Sequence, residues 1–197
     1  MGEDLRVDTL REAYRKGIFP WPHDGLPLPW FSPRRRAVIF FDDLHIGRSL
    51  RKSQKNAALT FTIDRDFDSV IQACAEMERP EQDGTWIAPY IIEAYTRFHA
   101  AGDVHSVEVW EDGALVGGLY GVDAGGVFTG ESMFHRRPDA SKLALLFLVD
   151  HLRARGSVFL DCQVLTPHME ALGAREITRA QFLDLLAEMQ AKGVKLF

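Results

Sequence analysis

The chain has 197 residues, 46% of them apolar and 26% charged, enough for one good core or for one core with a small appendage. No apolar run is long enough to span a bilayer, and Met1-Gly2-Glu3-Asp4 is unlike a signal peptide, so a cytoplasmic protein with no membrane contact is expected. The two cysteines, Cys74 and Cys162, stand far apart and outside any metal-ligand spacing, which argues against a disulfide framework and a zinc site. Net charge is −5, but residues 1–60 carry eleven Lys/Arg against seven Asp/Glu, whereas residues 61–197 carry twelve against twenty-one. That asymmetry suggests a basic surface beside an acidic site.

In chain order, Leu5 to Lys16 has Leu10, Ala13 and Tyr14 at helical spacing and stops at Gly17. Ile18 to Pro33 holds five prolines with Trp21 and Trp30, a composition that predicts an irregular but packed loop. Next come a strand over Ala37–Phe41, a basic helix over His45–Lys55, a strand over Leu59–Ile63 and a helix over Phe67–Met77. After a polar loop around Glu78 to Asp83, Pro89 opens a helix that runs to Gly102. Val104–Trp110, Leu115–Val122 and Val127–Met133, separated by turn signals, form an antiparallel meander. Ser141–Arg155 is helical, and Ser157-Val158-Phe159-Leu160 is a strand ending at Asp161. Thr166 and Thr178 read as N-caps of two last helices, with Gln181 completing a capping box on the second. The pattern is α+β with a mixed sheet, a main domain over 35–197 and a small domain over 1–34.

Chemistry concentrates at two strand ends. Asp161-Cys162-Gln163 places a carboxylate and a carboxamide two positions apart, on one face of a regular strand; capping of the helix opened by Thr166-Pro167 is the plainer alternative. Upstream, Gly130-Glu131-Ser132-Met133-Phe134 sends Glu131 and Met133 to one face. Arg48, Arg51, Lys52 and Lys55 follow a three- and four-residue rhythm with no carboxylate among them, either a solvated face or a phosphate-binding stripe, which Arg34, Arg35 and Arg36 would extend. His105, His151 and His168 share no metal-ligand spacing and read as structural or surface residues.

Several stretches together resemble bacterial leucyl/phenylalanyl-tRNA-protein transferases. They are 13–21 (AYRKGIFPW), 30–33 (WFSP), 84–87 (GTWI), 105–110 (HSVEVW), 117–121 (GGLYG), 130–134 (GESMF), 140–142 (ASK) and 161–165 (DCQVL), in the family order along nearly the whole chain. Against the family pattern the chain begins later, without a Gly-Leu-Leu-Ala-Leu-Gly-Gly-like stretch, and stops at Leu196-Phe197 without the longer tail.

The resemblance implies a fold related to the GCN5-type N-acetyltransferases (GNAT-like) behind a small N-terminal domain. It implies transfer of Leu or Phe, and less well Met, from aminoacyl-tRNA to the α-amine of proteins beginning with Lys or Arg. The product would be an N-degron for the N-end-rule adaptor and protease, and no metal or cofactor is expected. Gln163 would hold the attacking amine, with Asp161 either relaying its proton or orienting the group, and Glu131 would lie by the aminoacyl pocket. Leu119, Phe128, Met133, Leu145, Leu148 and Leu152 match positions lining that pocket. Tyr14, Trp21, Trp86 and Tyr95 match aromatic positions of the family, some of which stack on or frame the terminal adenosine, although Tyr95 on an apolar helix face is equally suited to the core. Arg48, Arg51, Lys52 and Lys55 would hold the tRNA body. An acetyl-CoA-dependent acetyltransferase would need a glycine-rich pyrophosphate loop that Arg136-Arg137-Pro138-Asp139-Ala140 lacks. An adaptor presenting basic N-termini would not use the basic stripe or the loop aromatics.

Overall fold

Apolar alternation along the chain resolves into a seven-stranded mixed sheet in a computed structural model that describes residues 5–22, 27–55, 58–77 and 85–197. Gly84 and the polar stretch from Glu78 to Asp83 lie outside the described residues, as does Met1 to Asp4. The first helix, α1 (Val7–Arg15), buries Leu10, Ala13 and Tyr14 and stops before Gly17, whose φ of 71° is the left-handed conformation glycine adopts without strain. The proline-rich segment is more regular than its composition predicts. A two-residue strand, β1 (Phe19–Pro20), pairs antiparallel with β2 (Trp30–Phe31), and Trp21 N donates to Pro29 O at 3.0 Å. Proline is tolerated where a strand has a free edge, because the missing N–H then costs no ladder bond.

The main sheet contains β3 (Arg35–Phe40), β4 (Leu59–Ile63), β5 (Val104–Glu111), β6 (Ala114–Asp123), β7 (Phe128–His135), β8 (Phe159–Gln163) and β9 (Arg175–Thr178), in the order β4-β5-β6-β7-β8-β3-β9. The meander β5-β6-β7 is antiparallel, and β7 pairs parallel with β8 after the crossover helix α5 (Ala140–Ala154). β9 is a strand that the sequence pattern does not announce. Only Ile177 of its four residues is buried, and it is held by pairing to β3 rather than by apolar alternation. Thr178 ends it and starts α7 (Arg179–Lys192) with the expected capping box.

Because successive strand residues point to opposite faces, neighbours such as Val38 and Ile39, or Phe159 and Leu160, feed two separate cores. One core packs under α1, α3 (Phe67–Glu76), α4 (Pro89–Ala100) and α7; the other packs under α2 (Arg48–Gln54) and α5. Gly117 lets α5 approach: a Cβ there would lie 2.5 Å from the Ala140 Cβ, so the start of the helix is seated directly on β6.

Two irregularities sit side by side in the middle of the sheet. In β7, Tyr120 pairs with Ser132 and Gly121 with Gly130, so Glu131 is the extra residue of a β-bulge. In β8, Ala37 pairs with Gln163 and Val38 with Asp161, so Cys162 is the extra residue of a second bulge. The parallel ladder between β7 and β8 has only the pairs Phe128–Leu160 and Thr129–Asp161. Past that point the two strands part, and a cleft opens between them.

Candidate active site

The cleft has a volume of about 580 Å³ and is walled by residues from both bulges, from α5 and from the segment after α1. Glu131, Ser132 and Met133 all line it, as does Gln163, so the bulge at Glu131 brings consecutive residues to the cleft. Of the expected pocket residues, Leu119, Phe128, Met133, Leu145 and Leu148 line it. Leu152 does not: it is wholly buried one turn further along α5, in the core. Trp21 and Trp86 stand at the wall, next to Phe19 and Met77.

Tyr14 and Tyr95 are placed differently from the tryptophans. Both rings are buried in the core, at 2% and 0% exposure, so they present no ring face to a ligand, and their hydroxyls are engaged with Glu131 and with each other. Tyr14 Oη donates to Glu131 Oε1 at 2.8 Å and lies 2.5 Å from Tyr95 Oη, so the shared proton between the phenols comes from Tyr95. Gln163 Nε2 donates to the same Glu131 oxygen at 2.7 Å. Burial pushes the Glu131 carboxyl up to about 8; the Tyr14 hydrogen bond pulls the other way, and the Asp161 charge adds to the rise. Burial likewise raises both tyrosines well above the ordinary phenol value, with the Glu131 charge next in weight.

Asp161 and Gln163 do not share a face. The bulge at Cys162 and the left-handed backbone of Gln163 (φ 61°) break the alternation, turning the carboxamide into the cleft and the carboxylate into the sheet interior. Asp161 is fully buried and is held by Arg36, Nε to Oδ1 at 2.8 Å and Nη2 to Oδ2 at 2.6 Å. Thr129 Oγ1 donates to Oδ2 at 3.0 Å, and Gln163 N donates to Oδ1 at 2.9 Å. Arg36 also donates to Gly17 O at 3.3 Å, and its guanidinium carbon lies 4.8 Å from the Phe19 ring centroid and 4.5 Å from that of Phe182. Arg36 therefore does not extend the surface patch expected of Arg34 to Arg36. Nor do Asp161 and Gln163 cap the helix that follows: α6 (Pro167–Glu170) is capped by Thr166, which accepts from Met169 N.

Arg48, Arg51, Lys52 and Lys55 are all exposed on and just after α2, and none is paired with a carboxylate among the described residues. Arg51 Nε donates to Ile46 O at 2.9 Å. Residues not anticipated at the cleft are Ser141, Cys162, His135 and His168. The stretch Ala140-Ser141-Lys142 carried the only signal for the first of these. Burial raises the Cys162 thiol far above its usual range, which leaves it unreactive as a nucleophile.

Among solved structures, the chain resembles the C-terminal domain (DUF2156) of a putative lysylphosphatidylglycerol synthetase from Agrobacterium fabrum, at TM-score 0.48 and 12% identity, covering 89% of this chain and 66% of that one. It also resembles a GCN5-related N-acetyltransferase from Kribbella flavida, at TM-score 0.44 and 14% identity, covering 81% and 56%. Sequence relatives are far nearer. A leucyl/phenylalanyl-tRNA–protein transferase from Chromohalobacter salexigens is 55% identical over 185 residues, 94% of this chain and 72% of that protein. Those from Syntrophobacter fumaroxidans and Pseudomonas fluorescens are 51% and 50% identical, over 95% and 94% of this chain and 80% and 82% of theirs. The family profile for leucyl/phenylalanyl-tRNA protein transferase matches residues 38–187, and the profile for the N-terminal domain of the same proteins matches residues 3–34. With both profiles met in order and half of its residues identical to such relatives, the chain belongs to the leucyl/phenylalanyl-tRNA protein transferase family of aminoacyltransferases.

Proposed function

We propose that this protein transfers Leu or Phe, and less readily Met, from aminoacyl-tRNA to the α-amine of proteins beginning with Lys or Arg. The product is an N-degron for a cytoplasmic adaptor and protease. The observation that carries the reading is the meeting of Glu131 and Gln163 at the floor of an apolar cleft flanked by two tryptophans. Leu119, Phe128, Met133, Leu145 and Leu148 form the side-chain pocket; unbranched Cβ atoms fit it, while Val or Ile would crowd it, a selection worth ~1–3 kcal/mol. Trp21 and Trp86 frame the terminal adenosine. The exposed α2 stripe holds the tRNA body. Residues 1–34 act as a small domain docked on the catalytic domain over 35–197, and α1 contributes Tyr14 to the site.

The ester of an aminoacyl-tRNA is already activated, so catalysis is chiefly positioning and proton removal. The amine nitrogen attacks the ester carbonyl, the C–N bond forms, and the C–O bond to the terminal ribose breaks. The amine gives up one proton and the ribose oxygen takes one. Gln163 orients the amine through its carboxamide oxygen while its NH₂ group rests on Glu131. Glu131, with a pKa near the working pH, is suited to accept the proton; Asp161, committed to Arg36, orients Gln163 by accepting its backbone N–H.

The test is transfer of radiolabelled Leu from Leu-tRNA to a model protein beginning with Arg, compared with one beginning with an acidic residue. Incorporation confined to the first supports the reading. Acetyl transfer from acetyl-CoA with no Leu transfer would overturn it.

A further inference from the structure

One wall of the cleft is polar for a reason that the pocket and the amine site do not supply. Ser141 lines it, is 5% exposed, and its side-chain hydroxyl has no partner among the described residues. Its hydroxyl opens onto the cleft, where it can donate to or accept from a ligand. Ser141 lies in the first turn of the fifteen-residue α5, where free backbone N–H groups and the helix dipole favour an anion. No side chain caps that turn. The N-cap residue Asp139 is left-handed (φ 66°), and its carboxylate accepts instead from Ser53 Oγ at 2.9 Å and Lys142 Nζ at 3.4 Å.

An ammonium and two imidazoles gather at the same place. His135 at the end of β7 and His168 on α6 both line the cleft, and Lys142 follows Ser141 with a third of its side chain exposed. They are close enough to repel: after burial, the charges of Lys142 and His135 are what hold the His168 imidazole below its ordinary value. Asp139 is the carboxylate that answers them, and through Ser53 it joins this corner to α2 with its exposed Arg51, Lys52 and Lys55. The Ser53–Asp139 bond thus ties this corner of the cleft to the helix that carries the stripe.

We propose that Ser141, Lys142, His135 and His168 form a phosphate site at the cleft mouth, and that its ligand is a phosphodiester of the single-stranded 3′ end carrying the amino acid. The proposal rests on the reading of the cleft given above. The pocket then fixes the amino acid, the tryptophans the last base, and this corner the sugar–phosphate chain leading away toward α2.

Three donors separate the contributions: aminoacyl-adenosine, which has no phosphodiester; the aminoacylated trinucleotide C-C-A, which has phosphodiesters but no tRNA body; and whole aminoacyl-tRNA. The quantity read is the ratio of kcat/KM for the trinucleotide to that for the adenosine, at several salt concentrations. The parent protein should favour the trinucleotide, with a log-log salt slope of about −0.7 for each phosphate held. Ser141→Ala, Lys142→Gln and His168→Gln should each bring the ratio toward one, and Lys142→Gln should flatten the slope. General damage to the fold would depress both small donors alike and leave the ratio intact. Ratios and slopes unchanged in all three variants would overturn the proposal, as would a parent that treats the two small donors equally or a Lys142→Gln effect confined to KM for the acceptor. Absence of transfer from all three donors would instead remove the reading of the cleft, and the phosphate site with it.

Discussion

Arg36 and Asp161 grip each other through two parallel hydrogen bonds, with 2% and 0% of their side chains exposed, and the backbone N–H of Gln163 hangs from the same carboxylate. Stability and positioning therefore pass through one group. Asp161→Ala leaves a guanidinium buried without its partner, a loss of about 3–5 kcal/mol, so both the urea midpoint and the transfer rate should fall. Gln163→Ala should lower the single-turnover rate at saturating tRNA with little change in the urea midpoint or in tRNA affinity. Unaltered single-turnover rates in both variants would remove these residues from the reaction.

The raised carboxyl of Glu131 sets a pH signature. In the unfolded chain it titrates near 4.5 and in the folded protein at about 8. The folded state therefore holds the proton across that window, and the stability this confers is complete below about 4.5 and is lost as pH rises through about 8. Glu131→Gln keeps an oxygen for Tyr14 and Gln163 but cannot ionise. Its melting temperature relative to the parent should rise progressively from pH 5 to pH 8. Transfer by the parent should climb over the upper part of the same range as the carboxylate forms, and the variant should lose that limb. Parallel melting curves at every pH would contradict the assignment.

Pocket shape predicts donor preference. Met133 and Leu119 both line the cleft, so a bulkier residue at either position should penalise Phe more than Leu, by a factor of order ten. Leu152 supplies the contrast. Leu152→Ala should cost about 2–5 kcal/mol of stability as a core cavity and slow both donors equally. A Leu-versus-Phe bias in Leu152→Ala would mean that α5 bounds the pocket further down than its side chains indicate.

Charge reversal at Arg48, Arg51, Lys52 and Lys55 should weaken tRNA binding and flatten its log-log salt dependence by roughly 0.7–0.9 per lost contact. Aminoacyl-adenosine should be used as well as before. Normal tRNA affinity with an unchanged salt slope would make α2 a solvated face.

Most strands and helices were legible because their apolar periods are long. The meander repeats its pattern over enough residues to be distinctive, α5 is a long apolar segment closed by Gly156, and α7 is announced by its capping box. β9 was not, since four residues with a single buried side chain carry no period. Within the site, Glu131 and Met133 both line the cleft, although Glu131 is itself the extra residue of a bulge and Ser132 lines it too, whereas Asp161 and Gln163 do not share a face. A bulge inserts one residue and reverses the faces beyond it, and nothing in Asp-Cys-Gln marks Cys162 as that residue. The depth of Tyr14 was not legible, because a motif gives residue identity without depth, whereas the apolar helix face of Tyr95 already admitted the core. Arg36 was hidden in a run of three arginines, although a lone aspartate in an apolar strand requires a buried donor, and Arg36 is the second residue of the neighbouring apolar strand.

Tyr14 reaches Glu131 from α1, and Gly17 and Phe19 close over Arg36 just beyond the same helix. A protein trimmed of its first two dozen residues would keep every strand of the main sheet and all of the α2 stripe. Its acid would be opened to water and would titrate like any surface glutamate, and the cation behind Asp161 would lose one side of its enclosure. Grafting the opening segment of one relative onto the body of another is therefore not a neutral exchange of appendages, because the swap retunes the proton affinity of the reaction centre.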